Sequence, residues 1–246
     1  MSDIRGGMGQ AQREAIEAPG YVAVPRVTTI ALHDPLIGPF PKKKSSFFSR
    51  LIDVIGALAL LIFTAPLIFV LALLVKLYDG GPVIFVHRRI GHGGEMFPCL
   101  KIRTMVMDAD KRLDQLLATD ANARAEWALD QKLRNDPRIT GLGRFLRRSS
   151  LDELPQLINV LRGDMSLVGP RPIVLDEAPR YGRWLKHYCA VRPGITGMWQ
   201  VSGRNNLTYR RRVACDVLYA RRQSTRMNLA ILLVTIPAVL SQDGSH

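Results

Sequence analysis

VIGALALLIFTAPLIFVLALLV, residues 54–75, is a run of 22 residues without a charge. As a helix rising 1.5 Å per residue it covers about 33 Å, enough to cross the hydrocarbon core of a bilayer. It has no polar face to turn toward water, unlike the helices of a soluble core. Pro66 lies near its centre. A proline has no N–H for the helical ladder and its ring clashes with the preceding turn, so the segment is expected to break or bend there. Both flanks are basic: Lys42, Lys43, Lys44 and Arg50 on one side, Lys76, Arg88 and Arg89 on the other. Basic flanks stay on the cytoplasmic side. A single span would leave one of them outside, whereas a bent helix entering and leaving the same leaflet keeps both inside.

Working outward, residues 1–44 are rich in Gly, Pro and Ala and have no helical or strand period, so they are expected to be disordered. No apolar core follows a short basic start, so the segment does not read as a signal peptide. Downstream, Pro82–His87 and Phe97–Arg103 read as two strands, with Gly91-His92-Gly93-Gly94 suited to the turn of a hairpin. Helices are expected over 108–119, 121–134, 141–148, 153–162, 174–188 and 208–222. Residues 229–240 are apolar but too short to span, which fits an interfacial or core-capping helix. The organisation read from this is a segment 1–44, a membrane segment 45–78 and a cytoplasmic domain 79–246.

The chain of 246 residues carries a formal charge of +13. Such an excess calls for a negative partner: nucleic acid, anionic lipid, or a phosphate-bearing substrate. Arg204, Arg210, Arg211, Arg212, Arg221, Arg222 and Arg226 form a dense basic stretch, as a phosphate-tracking surface would. No DNA-reading motif frames it, and nucleic acid leaves residues 54–75 unexplained; a face toward anionic lipid accounts for both. The three cysteines, Cys99, Cys189 and Cys215, are odd in number and widely spaced, so they read as buried or free thiols.

The chemistry concentrates in RRSSLDELPQ, residues 147–156. Asp152 and Glu153 are adjacent acids close to Arg147 and Arg148. Pro155 is tolerated only in the first turn of a helix, so a helix is expected to start near Asp152 or Glu153, where a carboxylate meets the positive end of the dipole. Neighbours on a helix diverge by about 100°, which suits two different tasks better than one shared proton. The same residues also fit a capping box, Ser150-x-x-Glu153, and local sequence leaves both readings open. Arg171 sits between Pro170 and Pro172, a rigid setting that pre-orders a guanidinium for phosphate; a solvated Pro-rich loop is the alternative. Arg192 and Arg204 repeat the theme of an arginine held by turn residues.

The set KIRTM (101–105), NDPRIT (135–140), SLDELPQLINVLRGDMSLVGPRP (150–172) and RPGITGMWQVSGRN (192–205) resembles the bacterial sugar transferase family, the monotopic polyprenyl-phosphate sugar-1-phosphate transferases. The resemblance covers about residues 45 to 240 and is nearest the branch that starts exopolysaccharide repeat units with galactose- or glucose-1-phosphate. It implies an α/β, membrane-associated fold: a Pro-broken re-entrant helix and a compact, mostly helical cytoplasmic domain with a small β-hairpin and interfacial helices. It implies a place at the cytoplasmic face of a bacterial inner membrane, with a UDP-sugar, undecaprenyl phosphate and anionic lipid as partners. Nucleic acid is not among them, and a homo-oligomer is left open. By motif match Asp152 would be the nucleophile that attacks the β-phosphate, releases UMP and carries a phosphosugar–aspartyl intermediate. Glu153 would hold Mg²⁺. Lys101, Arg103, Arg147, Arg171, Arg192 and Arg204 would lie near phosphates.

Three positions depart from the family pattern. Ala65-Pro66 stands where Ser-Pro is frequent, and Gln223 and Asn228 stand where a Trp and an Asp are frequent. A non-catalytic scaffold of polysaccharide assembly and a hydrolase using the same aspartate are the rival functions.

Overall fold

The structure is a computed structural model describing residues 40–130, 133, 135–203 and 207–240. The segment expected to be disordered lies outside the described residues up to position 39. Its last part does not behave as expected: Phe40 is buried under Gly94, and the Lys43 N–H donates to the Ala190 carbonyl at 2.8 Å.

Helix α1, Phe47–Asp79, has 33 residues. Ser46 caps its start, accepting from the Ser49 N–H at 3.1 Å. Gly80, left-handed at φ 70°, ends it, and its N–H reaches Lys76 O; only glycine adopts that conformation without strain. The helix runs unbroken through Pro66, so the expected break is corrected to a continuous helix. The φ of proline is compatible with helix, and what it removes is one ladder bond out of many. A hydroxyl is present one residue earlier than the frequent Ser: Thr64 Oγ1 donates to Leu60 O at 2.7 Å, a back-bond that favours bending.

Only 11% of the most apolar stretch of α1 is buried, so it is no core helix. Its buried residues fall at two ends: Ser49, Asp53 and Ala57, then Leu71 and Val75. Ile62, Phe63, Leu67 and Phe69 between them are exposed. Both ends rest on one body.

That body opens with a hairpin. Strands β1 (Ile84–Ile90) and β2 (Met96–Ile102) pair antiparallel from Ile84↔Ile102 to Ile90↔Met96, around a tight 3₁₀ turn at His92–Gly94. Helices α2 (Ala109–Thr119), α3 (Ala121–Asp130) and α4 (Gly141–Ser149) follow. Then come α5 (Gln156–Arg162), β3 (Ser166–Val168), α6 (Ala178–Tyr181), α7 (Leu185–Cys189), β4 (Gly194–Thr196), α8 (Met198–Val201), α9 (Tyr209–Arg222) and α10 (Thr225–Leu240). The parallel pair β3–β4 has too few residues per strand to show a period in sequence. The helix expected over 174–188 is divided into short 3₁₀ and α turns, because Gly182 takes φ 49°, ψ −131° in its middle. The last helix starts at Thr225, earlier than expected, and leaves Leu229, Leu233, Val234 and Ile236 exposed.

The main core joins Leu157, Val160, Met165, Val168, Val191, Tyr219 and Ile231 with Ala57 of α1. The Tyr219 hydroxyl lies 2.8 Å from Val168 O and 2.9 Å from Asn228 Oδ1, and accepts from Gln223 Nε2 at 3.4 Å. The two C-terminal departures from the family pattern therefore converge on one tyrosine.

Asp216 is also buried in α9. The Tyr181 hydroxyl donates to its Oδ2 at 2.7 Å, and Oδ1 has no partner among the described residues. Burial pushes its carboxyl up to about 7, against a smaller downward pull from Tyr181. The folded state therefore binds more protons than the unfolded chain between the ordinary aspartate range and about pH 7, and stability falls as pH rises through that window. Asp216→Asn keeps the acceptor for Tyr181 and removes the charge. It is expected to melt higher than the parent at pH 8, by roughly 2–4 °C per kcal/mol regained, with the difference shrinking toward pH 5 in thermal denaturation followed by circular dichroism.

Candidate active site

The acids are placed by how α4 ends. Ser150 adopts a left-handed φ of 57°, the only non-glycine residue to do so among the described residues, and its N–H closes the helix on Arg147 O at 3.2 Å. The chain then makes a 3₁₀ turn, Leu151–Glu153, and Pro155 caps α5. This corrects two expectations. The Ser150 side chain makes no capping bond, so the capping-box reading fails: a residue that closes one helix in left-handed geometry cannot cap the next. The helix starts at Gln156, after Pro155, leaving both acids in the turn before it.

The acids diverge, as adjacent residues do. Asp152 is 6% exposed. Glu153 lines a cleft with Lys101, Arg89, Arg171, Gln156 and Gln200. Lys101 Nζ donates to Glu153 Oε1 at 2.7 Å and lies 3.7 Å from Asp152 Oδ2. Asn159, on α5, fixes this meeting. Its side chain accepts from the Leu100 N–H at 3.0 Å and donates to Pro98 O at 2.8 Å, so the strand carrying Lys101 is tied to the helix that follows the acids.

Electrostatics separates the pair. Burial raises the Asp152 carboxyl and Glu153 adds to this, while Lys101, Arg147 and Arg171 pull it down without reversing the rise. Burial also acts upward on Glu153, but Lys101, Arg171 and Arg89 outweigh it and the net shift is downward. Glu153 is thus the firmly ionised member, and Asp152 the more basic.

The expected basic residues part company. Lys101 and Arg171 line the cleft, and Arg147, whose Nε donates to Thr104 Oγ1 at 2.8 Å, acts electrostatically on Asp152 from outside it. Arg171 is exposed, and its side chain has no hydrogen-bond or ion-pair partner among the described residues. Arg103 pairs instead with Asp79 at the end of α1. Arg192 donates to Gly163 O at 2.9 Å and lines a separate polar pocket with Lys43, Ser45, Ser49, Asp53, Ser166 and Gln223. Arg204 lies outside the described residues. Pro66 sits in the exposed middle of α1.

Arg89, Gln156 and Gln200 were not anticipated in the site. Arg89 had a signal: the hairpin register puts Arg89, Phe97 and Lys101 on one face. Its guanidinium is pulled down by burial and then by Arg171, so two arginines crowd one side of the cleft, as an anion site requires.

A second cluster ties the site to the apolar helix. Leu71 and Val75 of α1 pack with Ile102, Leu146 and Leu151. Each of these three is the sequence neighbour of a site residue: Lys101, Arg147 and Asp152.

Among the described residues no three or more His, Cys, Asp or Glu side chains stand close enough to hold a metal by themselves. One or two carboxylates are enough for Mg²⁺ when phosphates supply the other ligands, and Glu153 in the cleft fits that donor set.

The family model of bacterial sugar transferases matches residues 44–242. The chain belongs to this family. It is 50% identical over 205 residues to an undecaprenyl-phosphate galactose phosphotransferase of Salmonella typhimurium, covering 83% of this chain and 43% of that protein. It is 47% identical over 197 residues to the exopolysaccharide production protein ExoY of Rhizobium meliloti, covering 80% and 87%. It is 39% identical over 217 residues to a UDP-glucose:undecaprenyl-phosphate glucose-1-phosphate transferase of Caulobacter vibrioides, covering 85% and 76%. The sugar transferase chain thus spans under half of the Salmonella protein and most of the other two.

Because Lys101 lowers both carboxylates, Lys101→Met is expected to move both titrations upward, Glu153 the more because it holds the shorter contact. Carboxyl-carbon NMR of the two residues against pH reads this directly; unchanged titrations would exclude Lys101 as their shared counter-ion.

Proposed function

We propose that this chain transfers galactose- or glucose-1-phosphate from a UDP-sugar to undecaprenyl phosphate at the cytoplasmic face of the inner membrane, beginning an exopolysaccharide repeat unit. The observation that carries the proposal is the lysine-bridged acid pair beside a cleft lined by two arginines. The names of the relatives fit that chemistry.

In the proposed route a carboxylate oxygen of Asp152 attacks the β-phosphorus. The bond from that phosphorus to the bridging oxygen breaks, and UMP leaves with the oxygen. A phosphosugar–aspartyl acyl phosphate remains. An oxygen of the lipid phosphate then attacks the same phosphorus, the acyl-phosphate bond to Asp152 breaks, and the carboxylate returns. The raised basicity of Asp152 makes it the better nucleophile of the two acids. Its burial means that Lys101 must yield its contact first, and an arriving diphosphate competes for that ammonium and for Arg171. These cations offset the repulsion between a carboxylate and an anionic substrate and stabilise charge on the transferring oxygens. Mg²⁺, held by Glu153 together with the diphosphate, would supply further neutralisation there.

The re-entrant topology is part of the proposal. A straight span would carry one end of α1 away from the body, yet Ala57 and Val75 pack on the same body. Thr64 and Pro66 supply the local weakness at which the exposed middle bends within one leaflet.

Purified protein with polyprenyl phosphate, Mg²⁺ and a panel of UDP-sugars is expected to release UMP and form lipid product from one or two donors. Asp152→Asn should lose this by roughly 10³-fold or more, as for a lost nucleophile. UMP release that needs no lipid phosphate would instead mark a hydrolase. For topology, single cysteines at positions 43 and 76 should label with an impermeant maleimide from the same side of sealed vesicles. Labelling from opposite sides would replace the re-entrant helix by a span.

A further inference from the structure

The cleft carries two neutral amides that the transfer chemistry does not use. Gln200, on α8, lines it with Glu153 and Arg171. Its Nε2 is committed, donating to the Ile195 carbonyl at 3.1 Å. Its Oε1 is fully buried and has no hydrogen-bond partner among the described residues. The backbone of Gly169 and Gly197 packs closely around that oxygen: a Cβ at Gly197 would come to 3.0 Å of it and 2.2 Å of the Gly169 carbonyl. Gln156, on α5, lines the same cleft; it is 2% exposed, and its amide forms no hydrogen bond among the described residues.

An orphaned buried acceptor costs free energy unless something donates to it. The chemistry of the donor decides what that is. Both phosphates of a nucleotide sugar are ionised at neutral pH, and their oxygens only accept. They suit Arg171, Arg89 and Lys101 and leave Gln200 Oε1 unsatisfied. What Gln200 needs is an O–H or N–H, and the groups flanking a diphosphate on either side are rings carrying hydroxyls.

We propose that Gln200, with Gln156 in the same cleft, reads a ring hydroxyl of the donor next to its diphosphate. This rests on the proposed transfer from a UDP-sugar. The hydroxyl belongs either to the transferred pyranose or to the ribose, and both offer the same hydrogen-bond chemistry. Because Nε2 is held by Ile195, the amide cannot turn to present a donor. The site therefore selects for a hydroxyl and against a group that only accepts. A site built to bond a hydroxyl rejects the analogue lacking it far more strongly than an apolar pocket does.

The test compares the parent with Gln200→Met, similar in volume and lacking the acceptor, using kcat/KM for UMP release. The donors are the best UDP-sugar of the panel, analogues lacking one pyranose hydroxyl at a time, and analogues lacking a ribose hydroxyl. Gln200→Met is expected to lose roughly ten- to a hundredfold on the intact donor. It should lose little or nothing on the one analogue whose missing hydroxyl it reads, and that analogue names the ring. An equal loss on every donor would overturn the proposal: it would mean a structural role, or a contact to the uracil N–H instead.

Gln156→Met is run in parallel, so that a fold lost in one variant, seen as a lost thermal transition, does not remove the comparison. Equilibrium binding of the same donors to the full chain in detergent separates the two claims. Donors bound but never turned over would refute the transfer while the binding series still decides the hydroxyl contact. If no donor binds, both claims fall.

Discussion

One ammonium group shared by two adjacent carboxylates is the interaction on which this site depends. At an effective dielectric near 20, unit charges about 4 Å apart interact by roughly 4 kcal/mol. That is of the same order as the several kcal/mol lost when an ion is buried. With the two effects so nearly matched, small differences set the sign. Glu153, at 2.7 Å from Lys101, ends below its ordinary range; Asp152, at 3.7 Å, ends above it. Asn159 helps hold the arrangement by tying β2 to α5, alongside the packing of Ile102 with Leu151 in one apolar cluster.

The period of a β-strand gives this site its relation to the apolar helix. Successive strand residues face opposite ways. Ile102 turns to Leu71 and Val75 of α1, and Lys101 turns to the acids. Leu146 beside Arg147, and Leu151 beside Asp152, repeat the pairing. A chain with its apolar neighbour on α1 and its charged neighbour in the cleft holds the chemistry one residue from the helix. In the proposed transfer, that proximity lets a water-soluble donor and a lipid-borne acceptor meet.

The sequence made the large features legible where a single physical signal dominated. Uniform apolarity over 54–75 foretold α1, the Gly-rich turn foretold the hairpin, and the acid pair stood out beside its arginines. It misread features set by competition between signals. Pro66 was expected to break a helix whose many other bonds carry it through. Ser150 fitted a capping box, but its backbone closes α4 in a conformation that forbids that role. Among the basic residues, local spacing could not tell a cleft-lining arginine from a brace. Arg103 and Arg171 look equally exposed in sequence, yet one pairs with Asp79 and the other faces the cleft uncommitted. The positions of Gln156 and Gln200 depend on how α5 and α8 meet across the fold, and no local pattern carries that.

Two buried aspartates show why a raised carboxyl alone does not mark a nucleophile. Asp216 is raised to about 7, but tyrosines surround it, and among the described residues the one side-chain bond it makes is from Tyr181. No ion pair reaches it among the described residues, so burial penalises its ionised form. Asp152 is lifted by the same burial while Lys101, Arg147 and Arg171 hold the charged form within reach. Basicity with accessible ionisation is what an attacking carboxylate requires. It is the company of cations, more than the burial, that separates Asp152 from Asp216 and fits Asp152 to the proposed attack on phosphorus.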